Sequence, residues 1–165
     1  MYYLVWIASL LMNFYTSEPN ISSNEYLLER VNEVRSEGCY CGRKYMKPVE
    51  PVTWNSTLYS SAMNHAKHMN RYDHFSHYSV DGKNIGERIE AVGYKWHVVG
   101  ENLAVGQTNF EEVLRDWIRS KEHCVMLMDP RVTEMGIARY RKYWVQHFGK
   151  PLPKGAKVKR KVYRN

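Results

Sequence analysis

Apolar side chains recur at helical spacing in four stretches of this chain, and two late stretches alternate as strands do. Leu27, Val31 and Val34 form the first stripe, with Asn24 ahead to cap it and Gly38 behind to end it. Leu58, Ala62, His65 and Met69 share one face of a second helix predicted from Ser56 to about Tyr72. A short helix follows from Gly86 to Val92, closed by Gly93. A fourth runs from Phe110 to Arg119, with Phe110, Val113, Leu114 and Trp117 on its stripe. Thr133–Tyr140 and Tyr143–Phe148 read as a β-hairpin joined near Arg141-Lys142. Residues 39–55, with Gly42, Pro48 and Pro51, read as a loop leading to Trp54, and residues 73–86 as a polar loop with a turn at Asp81-Gly82. Residues 94–105 suit an extended segment that Gly100 interrupts. There is no internal repeat. Helices followed by a small late hairpin predict an α+β fold in which the helices cover the sheet.

The two ends depart from this pattern. Residues 2–12 are an apolar run, and no charged side chain precedes Glu18. The run falls short of the roughly 20 apolar residues that span a bilayer and suits the core of a signal peptide over residues 1–17, although no Lys or Arg precedes it. A buried first strand or helix is the competing reading. At the other end, residues 150–165 hold seven Lys or Arg and no acid, so the net charge of +7 belongs entirely to them. Residues 1–149 are balanced. The basic character is that of a tail over residues 152–165, not of a groove, which argues against specific nucleic-acid recognition. Lys157-Val158-Lys159-Arg160-Lys161 suits salt-dependent attraction to an anionic surface, or is simply a solvated end.

With 165 residues, of which 13% are aromatic, the part between the ends is long and apolar enough to bury one core. It predicts a single domain over residues 24–151 and a monomer. Three cysteines, Cys39, Cys41 and Cys124, predict one disulfide and one free thiol in an oxidising compartment. Cys39 and Cys41 are too close for an easy mutual bridge, so Cys124 pairs with one of them. The rival reading, a zinc site on all three, lacks the C-x2-4-C spacing of structural zinc. Asn20-Ile21-Ser22 and Asn55-Ser56-Thr57 match the N-glycosylation acceptor pattern.

Candidate chemistry lies outside the apolar stripes. His77, Glu101 and His123 stand in three separate segments, Phe75-Ser76-His77, Gly100-Glu101-Asn102-Leu103 and Ser120-Lys121-Glu122-His123-Cys124. Imidazole and carboxylate are the groups that bind divalent metals and move protons near neutral pH. Two of them also have a plain structural reading, His77 as a helix-terminal imidazole and Glu101 as a surface carboxylate paired with an arginine, while a disulfide at Cys124 would pin the imidazole of His123 with the rigidity a site needs. His65 lies on an apolar stripe and reads as a hydrogen-bonded core histidine. His65-Ala-Lys-His68 lacks both the spacing and the glutamate of a zinc-peptidase helix.

Set in order, Trp54-Asn55, Ala62 to Met69, Phe75-Ser76-His77, Gly93-Tyr94, Gly100-Glu101-Asn102-Leu103-Ala104, Trp117, Ser120 to Cys124 and Tyr143-Trp144-Val145-Gln146 resemble a CAP domain, also called SCP, the cysteine-rich secretory, antigen 5 and pathogenesis-related superfamily. The likeness runs from about Leu27 to Pro151. The Cys39–Cys41 and His123-Cys124 pieces are similar to a secreted bacterial branch of that family. The resemblance implies a three-layer α-β-α sandwich with a small antiparallel sheet and a central cleft holding two His and acidic residues. It places His77, Glu101 and His123 in that cleft. The second glutamate of animal and plant members falls on Ser120 here, and Glu87 or Glu122 is the expected substitute, Glu87 being preferred.

Taken together, these readings predict a secreted or periplasmic binding module for a lipid, a cell-wall component or a protein. Its cleft holds Zn2+ or another divalent cation through His77 and His123, with Glu101 as ligand or orienter. A metal-dependent hydrolase using the same cleft is the alternative. No nucleophile or oxyanion device is legible in the sequence.

Overall fold

The computed structural model describes residues 23–153, 155 and 161–164. The predicted signal segment, the Asn20 acceptor pattern and all of the basic cluster before Lys161 lie outside the described residues. In chain order the elements are α1 (Ser23–Glu37), β1 (Cys39–Cys41), β2 (Lys44–Met46), β3 (Thr53–Trp54), α2 (Ser56–Tyr72), α3 (Ile85–Ala91), β4 (Trp96–Val105), α4 (Phe110–Arg119), α5 (Lys121–Leu127), β5 (Glu134–Tyr140), β6 (Tyr143–Pro151) and β7 (Lys161–Arg164).

Local chemistry accounts for most boundaries. Helix α1 ends at Gly38, whose φ of 75° suits glycine and whose N–H donates to the Val34 carbonyl. Asn55 caps α2, its side-chain oxygen accepting from the Thr57 and Leu58 N–H groups. The Asn55 amide also donates to Glu134, so this acceptor-pattern asparagine is a structural cap tied into the fold. Helix α3 begins with a capping box between Asn84 and Glu87.

Strands β3, β5, β6, β4 and β7 form one sheet in that order. The β5–β6 and β6–β4 pairs are antiparallel, and β3–β5 and β4–β7 are parallel. The period-2 alternation of strands then sorts the core into two faces. Val98 and Ala104 of β4, Met135 and Ile137 of β5, and Trp144 and Phe148 of β6 pack against α1, α4 and α5. Leu103, Ala138, Tyr143 and Val145 pack against α2, and Val99 packs with α2 and α3. The result is the α-β-α sandwich. Helix α2 lies so close to β5 that a Cβ on Gly136 would fall 2.2 Å from the Tyr59 backbone nitrogen.

Four local expectations are corrected. Residues 39–55 are not all loop: β1 and β2 pair as a separate hairpin, with Cys39 opposite Met46 and Cys41 opposite Lys44. Gly100 does not interrupt β4. It is the position where Met126 of α5 packs on the strand, and a Cβ there would meet the Met126 sulfur at 2.0 Å. The sheet is five-stranded and mixed, larger than a late hairpin. Within the segment read as a tail, residues 161–164 pair with β4, placing Arg164 opposite Glu101 in register.

Candidate functional site

Glu101 organises the site. It lies in the middle of β4 on the face covered by α2 and α3, with no exposure to solvent. Its carboxylate gathers groups from four other segments. His77 Nδ1, from the loop after α2, lies 2.7 Å from Oε1. Arg88 Nη2, from α3, donates to Oε2 at 2.6 Å, and His147 Nε2, from β6, lies 2.8 Å from the same oxygen. His65 of α2 stands 3.9 Å from Oε2, close enough to feel the charge but not hydrogen-bonded to it. Its Nε2–H donates instead to the Ser76 carbonyl at 2.9 Å, tying α2 to the segment that carries His77.

Arg88 does as much to place His77 as Glu101 does. Its Nη1 donates to the His77 carbonyl at 2.8 Å and to the Lys83 carbonyl at 2.9 Å. The backbone of the His77 loop is therefore clamped to the same guanidinium that neutralises Glu101. His123 arrives from the other side of the sheet, on α5. Its Nδ1 lies 2.8 Å from Ser120 Oγ, and its carbonyl accepts from Asn102, the residue after Glu101. The Asn102 amide also reaches Gln146, fixing α5 against β4 and β6. Cys124 anchors the same helix through a disulfide to Cys41, with Cα atoms 5.3 Å apart.

The electrostatics follow from burial and pairing. Burial alone would raise the Glu101 pKa, but hydrogen bonds from His147 and His77 and the charge of Arg88 outweigh it and hold the carboxyl well below its usual range. Glu101 is thus an ionised acceptor. His147 is pushed down by burial, against the pull of Glu101, and stays neutral. Burial also lowers His123, and the neighbouring His77 lowers it further, which places the two imidazoles within electrostatic reach of each other. His65 is driven down to about 3, chiefly by burial.

A pH prediction comes from His65. Its folded pKa lies below the unfolded value of about 6.5. Between those two values the unfolded chain binds the extra proton, so stability is complete above pH 6.5 and falls as pH drops toward 3. His65 alone is expected to cost about 2 kcal/mol between pH 7 and pH 5. Urea unfolding at both pH values checks this, and a His65→Asn variant is expected to show a flatter dependence.

Of the residues singled out in the sequence, His77 and Glu101 are in direct contact, whereas His123 lies on α5 with its Nδ1 on Ser120 and not on that carboxylate. Glu87 is not in the site. Its side chain caps α3 by accepting from the Asn84 N–H, at an exposed position, while the next residue turns inward to Glu101. Arg88 and His147 are the residues that sequence reasoning missed. Arg88 reads as an ordinary polar-face residue of a short helix. His147 was legible as the strand position two after Val145, on the same face, and the register sets it directly opposite Glu101.

Among the described residues, the only group of three such side chains with ligand atoms within 4.8 Å of one another is Cys39, Cys41 and Cys124. Two of these are joined in the disulfide, leaving the Cys39 thiol alone to offer a metal. His65 and Arg88 also border a cavity of about 300 Å³ lined in addition by Ser61, His68, Asp81 and Lys83. The Ser61 hydroxyl, His65 Nδ1 and Arg88 Nε are buried polar atoms with no partner among the described residues.

This arrangement of sheet and helices occurs in known proteins. The family model of the cysteine-rich secretory protein family, CAP, matches residues 28–148. The chain is 28% identical to YkwD of Bacillus subtilis over 102 residues, which cover 61% of this chain and 40% of that protein. It is 27% identical to the membrane protein YlbC of the same organism over 97 residues, 59% of this chain and 28% of the relative. The aligned part thus spans well under half the length of these relatives. Among solved structures, an extracellular protein of Bacillus anthracis containing an SCP domain superposes with a TM-score of 0.69 at 23% identity, over 77% of this chain and 40% of that one. An outer surface protein of Borrelia burgdorferi superposes at 0.67 with 20% identity, over 78% and 92%. No helix among the described residues is long and apolar enough to cross a membrane. With the family model matching well over half of its length, the chain belongs to the CAP, or cysteine-rich secretory protein, family.

Proposed function

We propose that this protein is a secreted binding module whose cleft holds a divalent cation between His77 and His123. One observation carries the reading: the ionised, fully buried Glu101 holds His77 through Nδ1 at 2.7 Å, which turns the other ring nitrogen, Nε2, away from the carboxylate as the atom left to meet a cation. A carboxylate behind a histidine is the usual device for orienting a metal-binding ring and raising its basicity. His123 is held through its Nδ1 by the Ser120 hydroxyl at 2.8 Å. Two such nitrogens suit Zn2+ or a neighbouring borderline cation. Both oxygens of Glu101 are engaged by His77, Arg88 and His147, which gives it the orienting part and leaves the ligand part to the imidazoles. A bound cation would supply a Lewis acid with coordination positions open to a ligand.

The ligand class favoured among lipid, cell-wall material and protein is a hydroxylated one, such as a cell-wall saccharide. The cavity flanking the network is lined by Ser61, His65, His68, Asp81, Lys83 and Arg88, a mixed donor and acceptor set that suits hydroxyl groups. The hydrolase alternative is less well served, because Glu101, the carboxylate held to His77, has no free oxygen with which to take a proton.

Calorimetric titration with Zn2+ tests the cation site. The wild type is expected to show saturable heat, and the His77→Ala/His123→Ala double variant none. Equal heats would sink the reading. Cosedimentation with purified cell wall, against anionic lipid vesicles, separates the ligand classes and also tests the basic tail. Retention on vesicles alone would overturn the saccharide assignment.

A further inference from the structure

Cys39 and Cys41 stand two residues apart in β1, so their side chains leave the strand on one face. That face packs against α5, where Cys124 lies with Met128, Val34, Met46 and Val49 around the sulfurs. Cys41 is bonded to Cys124, yet the Cys39 sulfur is only 3.3 Å from the Cys124 sulfur. All three sulfurs lie within 4.8 Å of one another. This is not a lone cysteine near a disulfide by accident of sequence. The hairpin delivers two equivalent partners to one helical cysteine.

We propose that the cluster is a thiol–disulfide exchange site in which Cys39 and Cys41 alternate as the partner of Cys124. The Cys39 thiol loses its proton to solvent and the thiolate attacks Cys124 Sγ. The Cys39–Cys124 bond forms as the Cys41–Cys124 bond breaks. The electron pair stays on Cys41, which takes a proton from solvent. Nothing is oxidised or reduced overall, and no further reactant enters. The three sulfurs form a triangle, so Cys39 turns about its Cα–Cβ bond to line up with the bond it attacks.

Two consequences distinguish the states. The exchange moves the free thiol from Cys39, which is half-buried, to Cys41, which is 1% exposed. A thiol buried there is shielded from external disulfides and oxidants. Cys124 is bonded in both states, so α5 and the adjacent His123 remain tethered whichever strand cysteine holds them. The site described above is thereby protected against modification of one of its two anchors.

The test is disulfide mapping of the oxidised wild-type protein. The protein is incubated at mildly alkaline pH without added thiol, quenched in acid, alkylated with a maleimide and digested with a protease that cuts after Tyr40, which separates Cys39 from Cys41. Both isomers are expected, the major one Cys41–Cys124 with label on Cys39, the minor one Cys39–Cys124 with label on Cys41. Label on Cys39 alone, with every disulfide joining Cys41 to Cys124, overturns the proposal. A Cys41→Ser variant gives an independent reading: a monomer with no titratable thiol after air oxidation supports the exchange. A folded Cys41→Ser monomer that keeps two titratable thiols overturns it.

Discussion

Glu101→Gln is expected to destabilise the fold by about 3–5 kcal/mol, the cost of removing one partner from a buried ion pair. The carboxylate and Arg88 neutralise each other where Glu101 has no exposure and the Arg88 side chain is 9% exposed. Glutamine keeps the shape but loses the charge, leaving the guanidinium buried without its counter-ion. It also turns an amide N–H2 toward donors on His77, His147 or Arg88, all of which need an acceptor. The damage spreads, because Arg88 holds the His77 loop by its backbone. Urea unfolding followed by circular dichroism measures the loss, and a change under about 1 kcal/mol would mean that the network is not load-sharing in this way. In variants that remain folded, Zn2+ affinity is expected to fall along with stability, since His77 loses its orienting partner.

Cys124→Ser is expected to cost about 4 kcal/mol, the scale for a crosslink that closes a long loop. The bond joins positions 83 residues apart, so cutting it frees much of the unfolded chain. It also releases α5, a helix of 7 residues too short to hold itself, from the hairpin that anchors it. Cys39→Ser leaves the Cys41–Cys124 bond in place and is expected to change stability by less than about 1 kcal/mol. Comparing the urea midpoints of the two variants checks both values. Similar losses for the two would show that the bridge is not the anchor.

Much of the architecture was legible because periodicity reports burial directly. Helix α2 and helix α4 lie where their stripes place them, from Ser56 to Tyr72 and from Phe110 to Arg119. The β5–β6 hairpin turns at Arg141 and Lys142, as the polar gap there suggested. Gly100 misled because a glycine in a strand weakens the pattern whether it marks a break or a close approach. Only the position of Met126 tells which. The β1–β2 hairpin was missed because its strands are three residues long and half-exposed, too short to show alternation.

For the site, sequence alone singled out His77, Glu101 and His123 as candidates, because polar residues held between apolar elements stand out in a linear pattern. It also limited Cys124 to one of two partners. Tertiary structure decided what those residues do. Only folding brings β6 beside β4 and sets His147 opposite Glu101, or turns Arg88 inward while Glu87 caps the helix. Only folding shows that the carboxylate of Glu101 is consumed by three partners and orients a ring. Hydrophobic spacing is a local property of the chain and can be read from it. The state of a buried charge depends on neighbours tens of residues away in sequence, and those are known only when the sheet has set its register.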